Sequence, residues 1–202
     1  MRLTASGISC ARGGRTLFTG LSFALSDGEL MLLTGPNGSG KTSLLRQIAG
    51  LLPLESGSIV CEGFEREEET HFVGHLAAVK DALTVSENLA FWVELYGGNA
   101  ADLAGVLEKF RLDRLASLSA RVLSAGQRRR LALARLAAIR RKLWLLDEPD
   151  TALDAEGRAM LVGVIAGHRA QGGTVVMASH GTLDAAPSQE ISLAEVMRTA
   201  AA

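Results

Sequence analysis

The stretch "ELMLLTGPNGSGKTSLLRQIAG", Glu29 to Gly50, decides the fold. Leu30 to Thr34 is an unbroken apolar run, the pattern of a strand covered on both faces. The residues from Lys41 read as a helix that closes near Gly50, with Pro53 just beyond. Between them Gly35, Pro36, Asn37, Gly38, Ser39, Gly40, Lys41 and Thr42 match G-x-x-x-x-G-K-[ST] in the strand–loop–helix setting that gives the pattern its meaning. Glycines let backbone N–H groups curl round a polyphosphate, and the helix start adds the positive end of its dipole. Gly35 through Ser43 is therefore the expected nucleotide-binding stretch. In it Lys41 reaches the β- and γ-phosphates and the Thr42 hydroxyl takes magnesium.

Upstream, "LSFALSDGELMLLTG" predicts two strands joined as a hairpin through Ser26, Asp27 and Gly28. Downstream, "SGSIVCEGFEREEETHFVGH" predicts a second hairpin whose tip, Glu65 to Glu69, is a solvated turn. From Thr84 to Ala120 the pattern turns helical, opening with Thr84 and Glu87 at capping-box spacing. The runs "LWLLDE" and "TVVMASH", with helical "EGRAMLVGVIAGHR" between them, predict parallel strands with helices on their faces. The expectation is one α/β domain over 1–202. Residues 1–80 and 136–202 form a mixed sheet core with an antiparallel β subdomain, and a helical subdomain is inserted at about 81–135. "AEVMRTAAA" at the end predicts a short weak helix or a frayed tail.

"LWLLDEP" is an apolar strand ending in two acids, which a buried strand tolerates only where its end opens on a polar site. Asp147 is placed to hold magnesium and Glu148 to accept a proton from an attacking water. His180 ends the next strand, at the edge where ligands of open α/β sheets gather, and could hydrogen-bond the γ-phosphate or the water. In "VLSAGQRRRLALARL", Val122 to Leu136, Ser124 and Gln127 fit a capping box at a helix start. That leaves Gly126 unexplained, because a helix former would serve better there. For Arg128, Arg129 and Arg130 the expectation is a solvated helix face, with a phosphate contact as the alternative.

The bulk numbers bound the rest. With 202 residues, 48% hydrophobic, 21% charged and a net charge of -1, the chain has the composition of an ordinary globular domain. Its near-neutral charge gives no support to bulk binding of nucleic acid or anionic lipid. Two cysteines, Cys10 and Cys61, are too few and too far apart for a disulfide framework or a zinc site. No apolar run approaches the roughly 20 residues of a membrane helix, and the first residues lack a signal peptide's apolar centre. The expectation is a soluble, cytoplasmic chain that reaches a membrane only by docking.

The phosphate loop, "LSAGQ", "LLDEP" followed by "ALD", and a strand-terminal His, in that order from Leu3 to His180, resemble the ATP-binding cassette family. The resemblance implies a P-loop NTPase of ABC type that binds ATP and Mg2+. It also implies a homodimer or paired cassette with two composite sites. Ser124, Ala125, Gly126 and Gln127 would meet the γ-phosphate held by the other subunit, and the segment of Asp154 would cross between subunits. Gly126 would then permit close approach of backbone to phosphate. The chain departs from the family in three places. Ala125 replaces a usual Gly, and Arg12 stands where an aromatic residue often stacks on adenine. His75 holds the place of a Gln that senses magnesium and couples to a membrane partner. His75 could instead pair with His71 as metal or haem ligands, the two lying on one face of a strand.

"VKDALTVSENLAFW", "RVLSAGQRRRLALARL" and "LWLLDEPDTALD" further resemble the ATPase subunits of bacterial haem-export, or cytochrome c biogenesis, complexes. That implies integral membrane subunits as partners and a peripheral place on the cytoplasmic face of the inner membrane. It implies neither a nucleic-acid partner nor direct binding of haem by this subunit. The alternatives are an ATPase of another small exporter, for lipoprotein release or drug export, and a soluble cassette protein acting on nucleic acid.

Overall fold

Two sheets of opposite character share the chain. The computed structural model describes residues 1–98, 100–179 and 183–194. β1 (Arg2–Arg12) pairs antiparallel with β2 (Arg15–Ser26), and β3 (Leu30–Thr34) follows. After α1 (Lys41–Ile48) comes β4 (Ser56–Glu62), which closes a three-stranded antiparallel sheet of order β2-β1-β4. A short α2 (Arg66–Glu69) leads to β5 (Thr70–Val73). Three longer helices, α3 (Val85–Tyr96), α4 (Leu103–Lys109) and α5 (Ala125–Ala138), precede β6 (Leu143–Asp147). α6 (Ala155–Ala170), β7 (Thr174–Ala178) and β8 (Gln189–Ser192) complete it. The second sheet has five strands, all parallel, in the order β5-β6-β7-β3-β8. The mixed character expected of the core is thus divided between two sheets.

Neither predicted hairpin forms, although all four of its strands exist. β2 buries alternate residues, which suits a sheet with one wet face, whereas Leu30 to Leu33 of β3 are buried on both faces. A strand of that kind is satisfied in the middle of a covered sheet, and β3 lies between β7 and β8. Ser26 to Gly28 still turn the chain: the Glu29 N–H donates to the Ser26 carbonyl at 3.2 Å. The turn passes the chain from one sheet to the other. In the same way β4 joins β1 and β5 joins β6, with the expected tip partly wound into α2. The true hairpin is at Gly13 and Gly14, whose φ of 56° and 75° suit the tight turn between β1 and β2.

Side-chain alternation sorts the core. Leu30 and Leu32 of β3, with Trp144 and Leu146 of β6, face Leu89, Phe110, Leu131 and Leu161. Met31 and Leu33, with Leu143 and Leu145, face α1 and the inner side of the antiparallel sheet through Leu44, Ile48, Leu3 and Phe18. α5 is buried almost all round, as a helix central to its layer must be. No helix among the described residues is long and apolar enough to cross a membrane. Cys10 and Cys61 are free thiols. From Glu195 onward the expected terminal helix lies outside the described residues.

Candidate functional site

Parallel strands present their carboxyl ends together, and there the loop from β3 to α1 meets the ends of β6 and β7. Gly35 (φ 137°) and Gly40 (φ 105°) take backbone angles that side chains resist. A Cβ on Gly40 would also come within 3.1 Å of the Phe18 ring. Lys41 is 5% exposed, and its ammonium donates to the carbonyls of Gly35 (2.7 Å) and Pro36 (3.2 Å), lying across the loop. Ser39 Oγ is buried in the loop without a hydrogen-bond partner among the described residues. A buried hydroxyl left unpaired is costly, and a phosphate oxygen would pair it. The loop borders a 440 Å³ cleft whose lining includes Asn37, Thr42, Ser43, Glu148, Arg12 and Leu17. Arg12 is thus within reach of whatever fills the cleft.

Thr42 and Asp147 meet at the head of α1. The Thr42 hydroxyl donates to both carboxylate oxygens of Asp147, at 3.1 and 2.9 Å. A hydroxyl and a carboxylate so placed are hard oxygen donors of the kind magnesium takes beside phosphates. The next residue, Glu148, has φ 49°, a left-handed angle uncommon outside glycine. Its N–H donates to the Ala178 carbonyl at 2.9 Å. Its carboxylate remains partly open to solvent, with Oε2 at 3.7 Å from Nδ1 of the exposed His75. Asp150 accepts from the buried Ser179 hydroxyl at 3.3 Å. His180 lies outside the described residues.

At the head of α5 the capping box forms in full. Ser124 Oγ accepts from the Gln127 N–H at 3.2 Å, and Gln127 Oε1 accepts from the Ser124 N–H at 2.9 Å. Gly126 has a reason within its own chain: a Cβ there would stand 2.9 Å from the Ala152 carbonyl. Asp154 caps α6 by accepting from the Gly157 N–H at 2.8 Å, and it holds Arg130 at 2.7 Å. The Gly157 bond first, then Arg130, keeps its carboxyl below the usual range.

The solvated-face expectation fails for Arg129. Arg128 pairs with Asp81 and Arg130 with Asp154, but Arg129 is only 4% exposed. Its guanidinium donates to the carbonyls of Asp147, Glu148, Pro149, Gly74 and His75. Burial lowers its pKa, opposed by the charges of Asp147, Asp150 and Glu148. The shared strand face expected of His71 and His75 does not form, because β5 ends at Val73. His71 is buried in the strand, and burial together with Arg135 and Arg141 pushes its pKa down to about 3. His75 lies past the strand and turns to Glu148. Among the described residues no group of three His, Cys, Asp or Glu is placed to hold a metal ion.

Two residues escaped the sequence. For Arg129 a signal existed: successive helical residues point about 100° apart, so three in a row cannot all face water on a packed helix. For Asp150 there was none, since its hydrogen bond depends on Ser179, which follows the end of β7.

The profile of the ABC transporter family matches residues 18–151. The cytochrome c biogenesis ATP-binding export protein CcmA of Nitrobacter winogradskyi is 50% identical over 187 residues, covering 91% of this chain and 94% of its own. The protein of that name from Paramagnetospirillum magneticum is 46% identical, covering 94% and 93%. Among solved structures, an ABC transporter ATP-binding protein from Pyrococcus furiosus superposes with a TM-score of 0.86 over 96% of this chain and 98% of its own. At 23% identity that likeness speaks for the fold alone.

Proposed function

Because the chain belongs to the ABC transporter family, we propose that it is the ATP-hydrolysing subunit of a membrane export complex serving cytochrome c biogenesis. Its transported cargo would be haem or a haem-carrying partner, handled by separate integral membrane subunits rather than by this chain. Its place would be peripheral, on the cytoplasmic face of the inner membrane. One observation carries the ATPase reading: the glycine-rich loop, with its orphaned Ser39 hydroxyl and parked Lys41, opens beside the Thr42–Asp147 pair.

In this reading Lys41 exchanges its two carbonyl partners for β- and γ-phosphate oxygens, and the amides from Gly38 to Ser43 line the phosphate chain. A magnesium ion held by Thr42 and Asp147 would supply charge neutralisation at those phosphates. Glu148 orients the attacking water and accepts its proton, His75 steadies that carboxylate, and His180 hydrogen-bonds the γ-phosphate. Arg12 packs its planar guanidinium on the adenine, as such groups do on aromatic faces. Two copies join head to tail, so that Ser124, Ala125, Gly126 and Gln127 of one close over the γ-phosphate of the other while the Asp154 segment crosses between subunits.

Glu148→Gln tests the reading. It should bind ATP as the parent does, hydrolyse it about 100-fold more slowly, and dimerise with MgATP in sedimentation or scattering. Turnover near the parent rate removes Glu148 from its role, and a variant that stays monomeric removes the composite site.

A further inference from the structure

Among the described residues Arg129 has no carboxylate oxygen as a hydrogen-bond partner. Its five bonds, from 2.7 to 3.4 Å, all go to main-chain carbonyls on two loops. Gly74 and His75 lie on the loop leaving β5, and Asp147, Glu148 and Pro149 on the turn leaving β6. A guanidinium is the one side chain with five donors in a rigid plane, so no other residue can hold these acceptors in a single geometry. Burying a cation is expensive, the nearby charges of Asp147, Asp150 and Glu148 offset only part of that cost, and where stability alone is at issue apolar packing often serves as well. What the cation adds is a fixed relation between parts. α5 starts at the Ser124 cap, and Arg129 lies five residues on, about 7.5 Å along the axis.

Its neighbours reach elsewhere: Arg128 takes Asp81, farther along the chain past His75, and Arg130 takes Asp154. Arg129 grips the backbone of both residues whose side chains face each other at 3.7 Å, His75 and Glu148. The Glu148 bond is the shortest of the five, at 2.7 Å. It holds the carbonyl of a residue whose left-handed backbone is otherwise unfavourable.

We propose that Arg129 is a positioning residue for ATP hydrolysis, holding Glu148 and His75 in register with the Ser124 end of α5. It touches no reacting atom and acts through the two residues it holds. The inference rests on the reading of Glu148 as the residue that orients water.

The test uses the full chain with Arg129→Lys, which keeps a charge but loses the planar fork, and Arg129→Gln, which loses both. Arg129→Lys should bind MgATP within about 3-fold of the parent and hydrolyse it at least about 10-fold more slowly, a loss in kcat rather than KM. In a His75→Ala background the same substitution should cost measurably less than it does in the parent, because the share acting through the imidazole is already gone while the share acting through Glu148 remains. Arg129→Gln should be slower still. A folded Arg129→Lys with parental kcat overturns the proposal, as does a loss that is fully additive with His75→Ala.

If both variants fail to fold, hydrogen exchange on the unaltered chain decides. With a non-hydrolysable ATP analogue and magnesium, amides of 74–76, of 125–130, and of Glu148 and Asp150 should gain protection together. Protection of the last two without the first overturns the coupling. The two readings fail separately: Glu148→Gln inactive with Arg129→Lys normal sinks only the positioning role, whereas Glu148→Gln active sinks the reading beneath it.

Discussion

His75 Nδ1 lies 3.7 Å from Glu148 Oε2, joining the loop beyond β5 to the acid at the end of β6. An imidazole there can steady the carboxylate without displacing it from water, and a glutamine amide has similar reach. His75→Ala should lower kcat by about 10-fold and leave KM for ATP within about 2-fold, while His75→Gln should recover most of the rate. Steady-state phosphate release measures both. An alanine variant at full rate would make the approach of the two side chains incidental.

Thr42 and Asp147 give a metal prediction. Chelation of divalent ions should abolish turnover of the parent. Thr42→Ala should raise the Mg2+ concentration for half-maximal activity by about 10-fold, as loss of a ligand hydroxyl implies, with Thr42→Ser near the parent. A magnesium titration of ATPase rate reads this directly. Parental magnesium dependence in the alanine variant would leave the hydroxyl a helix-head contact only.

Ser124 has a structural duty, capping α5, and a proposed one at the partner's phosphate. Aspartate separates them. Ser124→Ala should lose about 1 kcal/mol in urea unfolding, whereas Ser124→Asp keeps a cap acceptor and should hold its stability. If the composite site exists, Ser124→Asp sets a carboxylate against a phosphate and should stop turnover while leaving ATP binding to the monomer intact. A stable Ser124→Asp that hydrolyses ATP normally would deny that site.

His71 sets a pH dependence. Its pKa is pushed from 6.5 to about 3 in the fold, first by burial and then by Arg135 and Arg141. Below about pH 6.5 the unfolded chain binds a proton there that the folded chain refuses, so stability falls as pH falls through that window. The loss from this one residue is about 2 kcal/mol at pH 5. His71→Gln should flatten the decline in unfolding free energy between pH 7 and pH 5 by about that amount. Parallel curves would mean that His71 is protonated in the fold.

The local parts of the site were legible because their chemistry is local. The Gly35–Thr42 cradle, the caps at Thr84 and Ser124, and the acids ending β6 each need only neighbours in sequence. Which strands pair is a different kind of fact. Leu30 to Leu33 already carried the mark of a doubly covered strand, at odds with pairing to the one-faced β2, and Gly13-Gly14 offered a better turn than Ser26 to Gly28. A turn propensity does not by itself specify pairing across the turn. At Arg129 charge, which usually means solvent, is overruled by the helix's rotation, which turns the side chain inward. Asp150, by contrast, acquires its partner Ser179 from beyond the end of β7, remote in sequence.

The space at Gly126 that the Ala152 carbonyl closes to any Cβ, and the pairing of Arg130 with Asp154, have a practical sequel for anyone grafting motifs between cassette proteins. A transplant of residues 124–127 alone would arrive without the surface they were shaped against, and the recipient's own loop would collide with it or leave a gap. The transferable unit is the helix tip together with 152–154, two pieces distant in sequence that behave as one component.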